Sequence, residues 1–180
     1  KGCAWRDRTG GCSFCARTDT GWRARAPEMV WEEVRDLVSV YRADYIWELS
    51  DDILSNEEWF RRFVEIRPPD LAPAFLFYAR PAKVNAHTAD LFAQVGAYEV
   101  FLGVEAGDDE LLVRANKGSL SRTNLRAARL LRERGIRIFP SFVLGLEGES
   151  AESLKRTEQH LLDILDTGLV DTLAVSIFMP

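Results

Sequence analysis

The sequence predicts an α/β protein built on a parallel sheet. Two observations carry this. Short apolar runs rich in Val, Ile, Leu and Phe recur along the chain, as they do in strands buried on both faces. Amphipathic segments at helical spacing separate those runs, so the strands are joined by crossover helices. No low-complexity stretch or Ser/Gly-rich linker breaks the alternation, and one domain is expected over residues 1–180.

The elements follow in order. Residues 27–42 place Met29, Val30, Val34, Leu37, Val38 and Tyr41 at helical spacing, with Pro27 near the start. An apolar run over 45–49 reads as a strand, and the polar break SDDILSNEE leads into a helix over 59–66. A strand over 74–78 precedes a helix near 87–95, which Gly96 can end. A strand over 99–104 is followed by a helix over 122–134, ended by Gly135. A strand over 136–144, a helix over 151–167 and a strand over 172–178 complete the chain. A repeated β/α unit closes, or partly closes, as a barrel or opens as a doubly wound sheet, and periodicity does not separate the two.

Composition narrows the function class. The chain has 180 residues, 47% hydrophobic and 28% charged, enough for one globular core. A formal net charge of −5 argues against a general nucleic-acid binder, which carries a basic face. No apolar run is long enough to span a bilayer. The chain begins at Lys1 with Cys3 almost at once, so a fragment of a longer chain is expected, cut in or just after a strand. All three cysteines lie within the first fifteen residues. An odd, clustered set suits metal binding in a reducing compartment better than a disulfide framework, and the cytoplasm is the expected location.

In either architecture the working site lies at the carboxyl ends of the parallel strands. Polar groups gather there. Glu48 and Ser50-Asp51-Asp52 follow one strand, Arg80-Pro81 the next, and Glu105 with Ala106-Gly107 the one after. Gly145-Leu146-Glu147-Gly148-Glu149 and Met179-Pro180 follow the last two.

The cysteines are spaced C-x8-C-x2-C: Cys3, then Cys12-Ser13-Phe14-Cys15. Two thiolates of one tight loop can reach a common metal centre, and Gly10-Gly11 lets the backbone turn closely. Three thiolates suit a four-iron cluster with one iron left open to a chelating ligand. Other readings are a structural zinc site, a redox CxxC pair and plain buried cysteines. Zinc would need His87 or His160 as a fourth ligand, both far along the chain.

These residues resemble the radical S-adenosylmethionine (SAM) superfamily over nearly the whole chain. Phe14 supplies the aromatic of the family's CxΦC ending. GVEAGDDELLVRANKG (103–118) is similar to the stretch after its fourth strand. GIRIFPSFVLGLEGES (135–150) is similar to its fifth strand and glycine turn, and IFMP to its sixth-strand segment. The first gap departs from the usual C-x3-C-x2-C, with AWRDRTGG between Cys3 and Cys12.

The resemblance implies a partial TIM-type barrel of about six β/α units, with parallel strands and the first strand truncated. It implies a [4Fe–4S] cluster on Cys3, Cys12 and Cys15, whose open iron is chelated by SAM. Phe14 would pack near the adenine, or serve only as core. The Ser50-Asp51-Asp52 turn would sit where the family binds the SAM amino group, with Ser50 and Asp51 as the candidate residues, though Asp51-Asp52 is also an ordinary helix-start signal. Arg80 would pair with the SAM carboxylate and Glu105 would accept from the ribose hydroxyls. An Arg80–Glu105 ion pair is the alternative for these two. Gly145 and Gly148 would let the backbone approach the cofactor, or make a simple turn. A 5′-deoxyadenosyl radical would then take hydrogen from a small-molecule or peptide substrate, with flavodoxin or ferredoxin as one-electron reductant. The SDDI, GVEAG…NKG and GLEGES segments look most like the group whose core follows a cobalamin-binding domain. Cobalamin would then act through a domain outside these residues. A stand-alone enzyme without cobalamin and a non-catalytic iron–sulfur or zinc module are the alternatives.

Overall fold

A computed structural model describes residues 1–16 and 21–179. Five strands, β1 (Tyr45–Trp47), β2 (Ala74–Ala79), β3 (Ala97–Glu105), β4 (Arg137–Leu144) and β5 (Ala174–Ile177), pair in the order of the chain. Every pairing is parallel, including the Ile46↔Phe75 register between β1 and β2. A doubly wound sheet would reverse its strand order at a switch point. The absence of any reversal decides for a half-barrel wound in one direction. Lys1 and Gly2 alone precede Cys3 and belong to no strand, so the described barrel has five strands.

Seven α-helices accompany the strands among the described residues: α1 (Ala4–Thr9), α2 (Pro27–Ser39), α3 (Glu57–Glu65), α4 (Ala86–Val95), α5 (Asp109–Arg114), α6 (Ser121–Arg132) and α7 (Ala151–Leu165). Alternate strand residues, Phe75, Phe77 and Ala79 of β2 and Val100, Leu102 and Val104 of β3, join one core. They pack there with Trp31, Phe60, Phe63, Leu91, Phe92, Ala127, Leu131 and Ile164 of the helices. Helices α2, α3, α4, α6 and α7 therefore cover one face of the sheet. Tyr78, Phe101 and Phe139 belong to neighbouring strands outside that core, and their rings touch at centroid distances of 4.6 and 4.9 Å.

Local chemistry sets the helix ends. Asn85 caps α4 reciprocally: its side chain accepts from the Thr88 amide at 3.0 Å, and Thr88 Oγ1 accepts from the Asn85 amide at 2.9 Å. Gly96 ends the helix in the left-handed region, as expected from sequence. Replacing Asn85 with Ala should cost about 1 kcal/mol, readable as a lower urea midpoint at unchanged slope. An unchanged midpoint would show that the cap is not holding α4. No described helix is long and apolar enough to cross a membrane.

Candidate functional site

Parallel strands put their carboxyl ends on one rim. Ser50 and Asp51 follow β1, Arg80 follows β2, Glu105 ends β3 and Gly145 follows β4. Met179 follows β5, whereas Pro180 lies outside the described residues.

The cysteine segment is tied to this rim at two places. The turn after β1 holds the backbone on both sides of Cys3: Gly2 N–H donates to Asp51 Oδ2 at 2.9 Å and Ala4 N–H to Ser55 Oγ at 3.1 Å. The loop after α5 holds the other end. Asn116 Nδ2 donates to the carbonyls of Gly11 at 2.7 Å and Thr9 at 3.2 Å, and Ser13 N–H donates to Ala115 O at 3.0 Å. Cys15 N–H closes a turn on Cys12 O at 3.1 Å. Residues more than a hundred positions apart thus shape one cysteine loop.

A buried ion pair lies beneath it. Lys117 Nζ is 2.6 Å from Glu105 Oε1, both side chains less than a tenth exposed, and Ser141 Oγ donates to Glu105 Oε2 at 3.3 Å. The register between β3 and β4 shifts at Gly103/Glu105, and Glu105 takes φ 68°, unusual for a side-chain-bearing residue. A bulge with this backbone is the kind of strain that persists where surrounding structure enforces it. Gly103 is required by close approach: a Cβ there would lie 2.6 Å from Glu105 Oε1 and 2.7 Å from Lys117 Nζ.

The alternative pairing of Arg80 with Glu105 is not what forms. Arg80 lies over the Trp5 ring, 4.3 Å from its centroid, and Nη2 donates to the Lys117 carbonyl. Lys117 is the nearer cation and takes the carboxylate. Arg80 is 7% exposed, and its Nε is buried without a hydrogen-bond partner among the described residues. Such an orphaned donor is costly in a low-dielectric site, and an anion placed beside it would offset that cost. Burial pushes the Cys12 thiol above its ordinary pKa, while Lys117 and Arg80 pull it back and Glu105 opposes them.

Asp52 caps the short turn after β1, accepting from Leu54 N–H at 3.2 Å, which is the helix-start role anticipated for this pair. Burial raises its carboxyl pKa, against the pull of Arg80. Ser50 donates its hydroxyl to Glu48 Oε2 at 2.6 Å, and burial raises the Glu48 pKa. Phe14 packs partly buried against Ala106, Leu111, Leu112 and Leu146, with Lys117 Nζ 5.8 Å from its ring centroid. Gly145 turns at φ 83° and donates its N–H to Glu149 Oε1 at 2.8 Å. Gly148 turns likewise at φ 86°.

The three thiols are free. Among the described residues no three His, Cys, Asp or Glu side chains are gathered to hold a single metal ion. His87 lies 3.9 Å from Glu57, and His160 is buried on α7. A four-iron cluster asks less convergence, because each thiolate binds a different iron. The donor set of three free thiols on one loop fits such a group, with the orphaned Arg80 donor beside it.

Sequence reading missed three participants. Lys117 lies in a stretch already singled out, and a buried Glu105 demands a counter-cation, which was the available signal. Asn116 lies in the same stretch and Trp5 between Cys3 and Cys12, but nothing local marked their roles, since their partners are remote in sequence.

Residues 1–161 match the radical SAM superfamily. The anaerobic magnesium-protoporphyrin IX monomethyl ester cyclase of Rubrivivax gelatinosus is 29% identical over 157 residues, covering 84% of this chain and 28% of the cyclase. Among solved structures, the cobalamin-dependent SAM radical enzyme OxsB superposes with a TM-score of 0.77 at 22% identity, over 89% of this chain and 25% of OxsB. The radical SAM methyltransferase TsrM of Kitasatospora setae, with cobalamin and a [4Fe–4S] cluster bound, gives 0.77 at 22% identity, over 93% of this chain and 34% of TsrM. The chain therefore spans only about a third or less of these longer proteins. Over that span, the chain belongs to the radical SAM superfamily, a family of enzymes that bind a [4Fe–4S] cluster and SAM.

Proposed function

We propose that this chain is the core of a radical SAM enzyme in which Cys3, Cys12 and Cys15 hold the cluster and the rim residues hold SAM. The single observation that carries the reading is the double anchoring of the cysteine loop, onto Asp51 and Ser55 on one side and Ala115 and Asn116 on the other. When bound, and given one electron from an external reductant, cluster and SAM would supply radical chemistry for taking hydrogen from a substrate. This chain's residues bind, orient and exclude water. Arg80, held face-on to Trp5 with Nε free, would receive the SAM carboxylate. Glu105, fixed by Lys117 and Ser141, would accept from the ribose hydroxyls. Phe14 would pack against the adenine. Ser50 and Asp51 would flank the amino group, and Gly145 would let the backbone approach.

That OxsB is cobalamin-dependent and TsrM is a methyltransferase with cobalamin bound supports a cobalamin domain acting with this core. Its reaction would be a methylation or rearrangement of a small molecule or peptide. A one-electron reductant such as flavodoxin or ferredoxin would serve it. Metal analysis tests the reading. Anaerobically reconstituted full-length protein should carry about four irons per chain, as a four-iron cluster requires. Zinc in their place would contradict it.

A further inference from the structure

We infer that Trp5, in the eight residues between Cys3 and Cys12, is a positioning residue for Arg80. The inserted segment thereby couples the cysteine loop to recognition of the SAM carboxylate. The inference rests on the reading of Arg80 as the carboxylate partner and adds the residue that aims it.

Six of those eight residues, Ala4–Thr9, fold into α1 instead of spanning the gap as a plain loop. The helix is short and has no side-chain N-cap, so its order comes from tertiary contacts. The Trp5 indole supplies the main one: Nε1–H donates to Asn116 O at 2.7 Å, fixing the plane of the ring. The face of that ring carries the Arg80 guanidinium at 4.3 Å. The surroundings are shaped to the stack. A Cβ at Gly118 would fall 2.5 Å from Trp5 Cζ2, 2.6 Å from Cη2 and 2.9 Å from Arg80 Nη2, so only glycine fits behind the pair. Arg80 Nη2 is bound to the carbonyl of Lys117, the residue just before that glycine. The guanidinium is thus fixed on one face by the indole and on one edge by a carbonyl, and Nε remains without a hydrogen-bond partner among the described residues.

A guanidinium forks onto a carboxylate only when its plane is set beforehand. An arginine without the indole would lose that alignment on a long, rotamer-rich side chain. Trp5 thus contributes to SAM binding without touching SAM.

The test compares SAM with decarboxylated SAM as ligands of the anaerobically reconstituted full-length protein, by equilibrium binding, in wild type, Trp5→Ala, Trp5→Phe and Arg80→Gln. Trp5→Ala should weaken SAM binding by about tenfold, the size of a lost desolvated cation–π contact, and leave decarboxylated SAM unaffected. Trp5→Phe, which keeps a ring under the guanidinium, should recover most of the loss. Iron content should match wild type in all three variants.

Equal weakening of both ligands by Trp5→Ala would overturn the inference, as would a wild-type affinity for SAM. Loss of iron in both Trp5 variants would make Trp5 a prop of the cysteine loop and overturn it too. If Arg80→Gln weakens both ligands equally, or neither, the carboxylate reading of Arg80 fails, and the inference with it. If Arg80→Gln acts on SAM alone while Trp5→Ala does not, that reading stands and only the role of Trp5 is lost.

Discussion

Cys12→Ala and Cys15→Ala are each expected to abolish cluster assembly in the reconstituted protein. The two thiols belong to one turn closed by Cys15 N–H on Cys12 O. The two histidines of the chain, His87 and His160, lie on α4 and α7 and not on the loop. The brown absorption should disappear, iron should fall to background, and reductive cleavage of SAM should stop. Cys3→Ala should act in the same direction, because Asp51 and Ser55 hold the backbone on both sides of that thiol. Iron bound at wild-type levels in Cys15→Ala would mean that the loop does not hold the cluster.

Breaking the Glu105–Lys117 pair should produce the largest loss of stability. Lys117→Met leaves a buried carboxylate without its cation, and Glu105→Leu leaves a buried ammonium. Each single change should cost about 3–5 kcal/mol, as for other buried pairs deprived of one partner. The double variant should recover most of that, since two apolar side chains of similar size remove both charges together. Urea denaturation of the four proteins measures the coupling directly. Additive losses would show that the two side chains do not depend on each other. The double variant should still bind SAM poorly, because the proposed ribose acceptor is gone.

Much of the fold could be read from the sequence because the strands of this sheet are apolar on both faces. The runs around Phe75–Phe77 and Ile138–Phe142 needed no tertiary information. The open choice between a barrel and a doubly wound sheet could not be closed that way, because strand order is a long-range property. It was settled by the pairing of each strand with its sequence neighbour. At the edge of the sheet, β1 keeps three residues of the five expected, and its Tyr45 and Trp47 stay largely exposed.

The site was legible in its strand-end residues and illegible in its cross-links. Arg80 and Glu105 could be placed on the rim, since each follows or ends a strand. Their partners could not. Lys117 outcompetes Arg80 for Glu105 because the loop after α5 folds back over the bulge, and Trp5 takes Arg80 because α1 docks there. Helix α1 itself has little apolar periodicity over AWRDRT and is held by Asn116 and Ser55, both distant in sequence. Local pattern cannot reveal an element whose stability is tertiary.

The most direct test of the account is cleavage of SAM itself. Full-length protein, reconstituted with iron and sulfide and reduced with dithionite, should form 5′-deoxyadenosine slowly from SAM before any substrate is known. The loop would hold the open iron and the rim would orient the cofactor, while dithionite supplies the electron. Arg80→Ala and Glu105→Ala should slow the reaction, each losing about 1.5–3 kcal/mol for a hydrogen bond to a charged group. Iron-loaded wild-type protein that forms no 5′-deoxyadenosine under these conditions would contradict the assignment of the cysteine loop as a radical-generating centre.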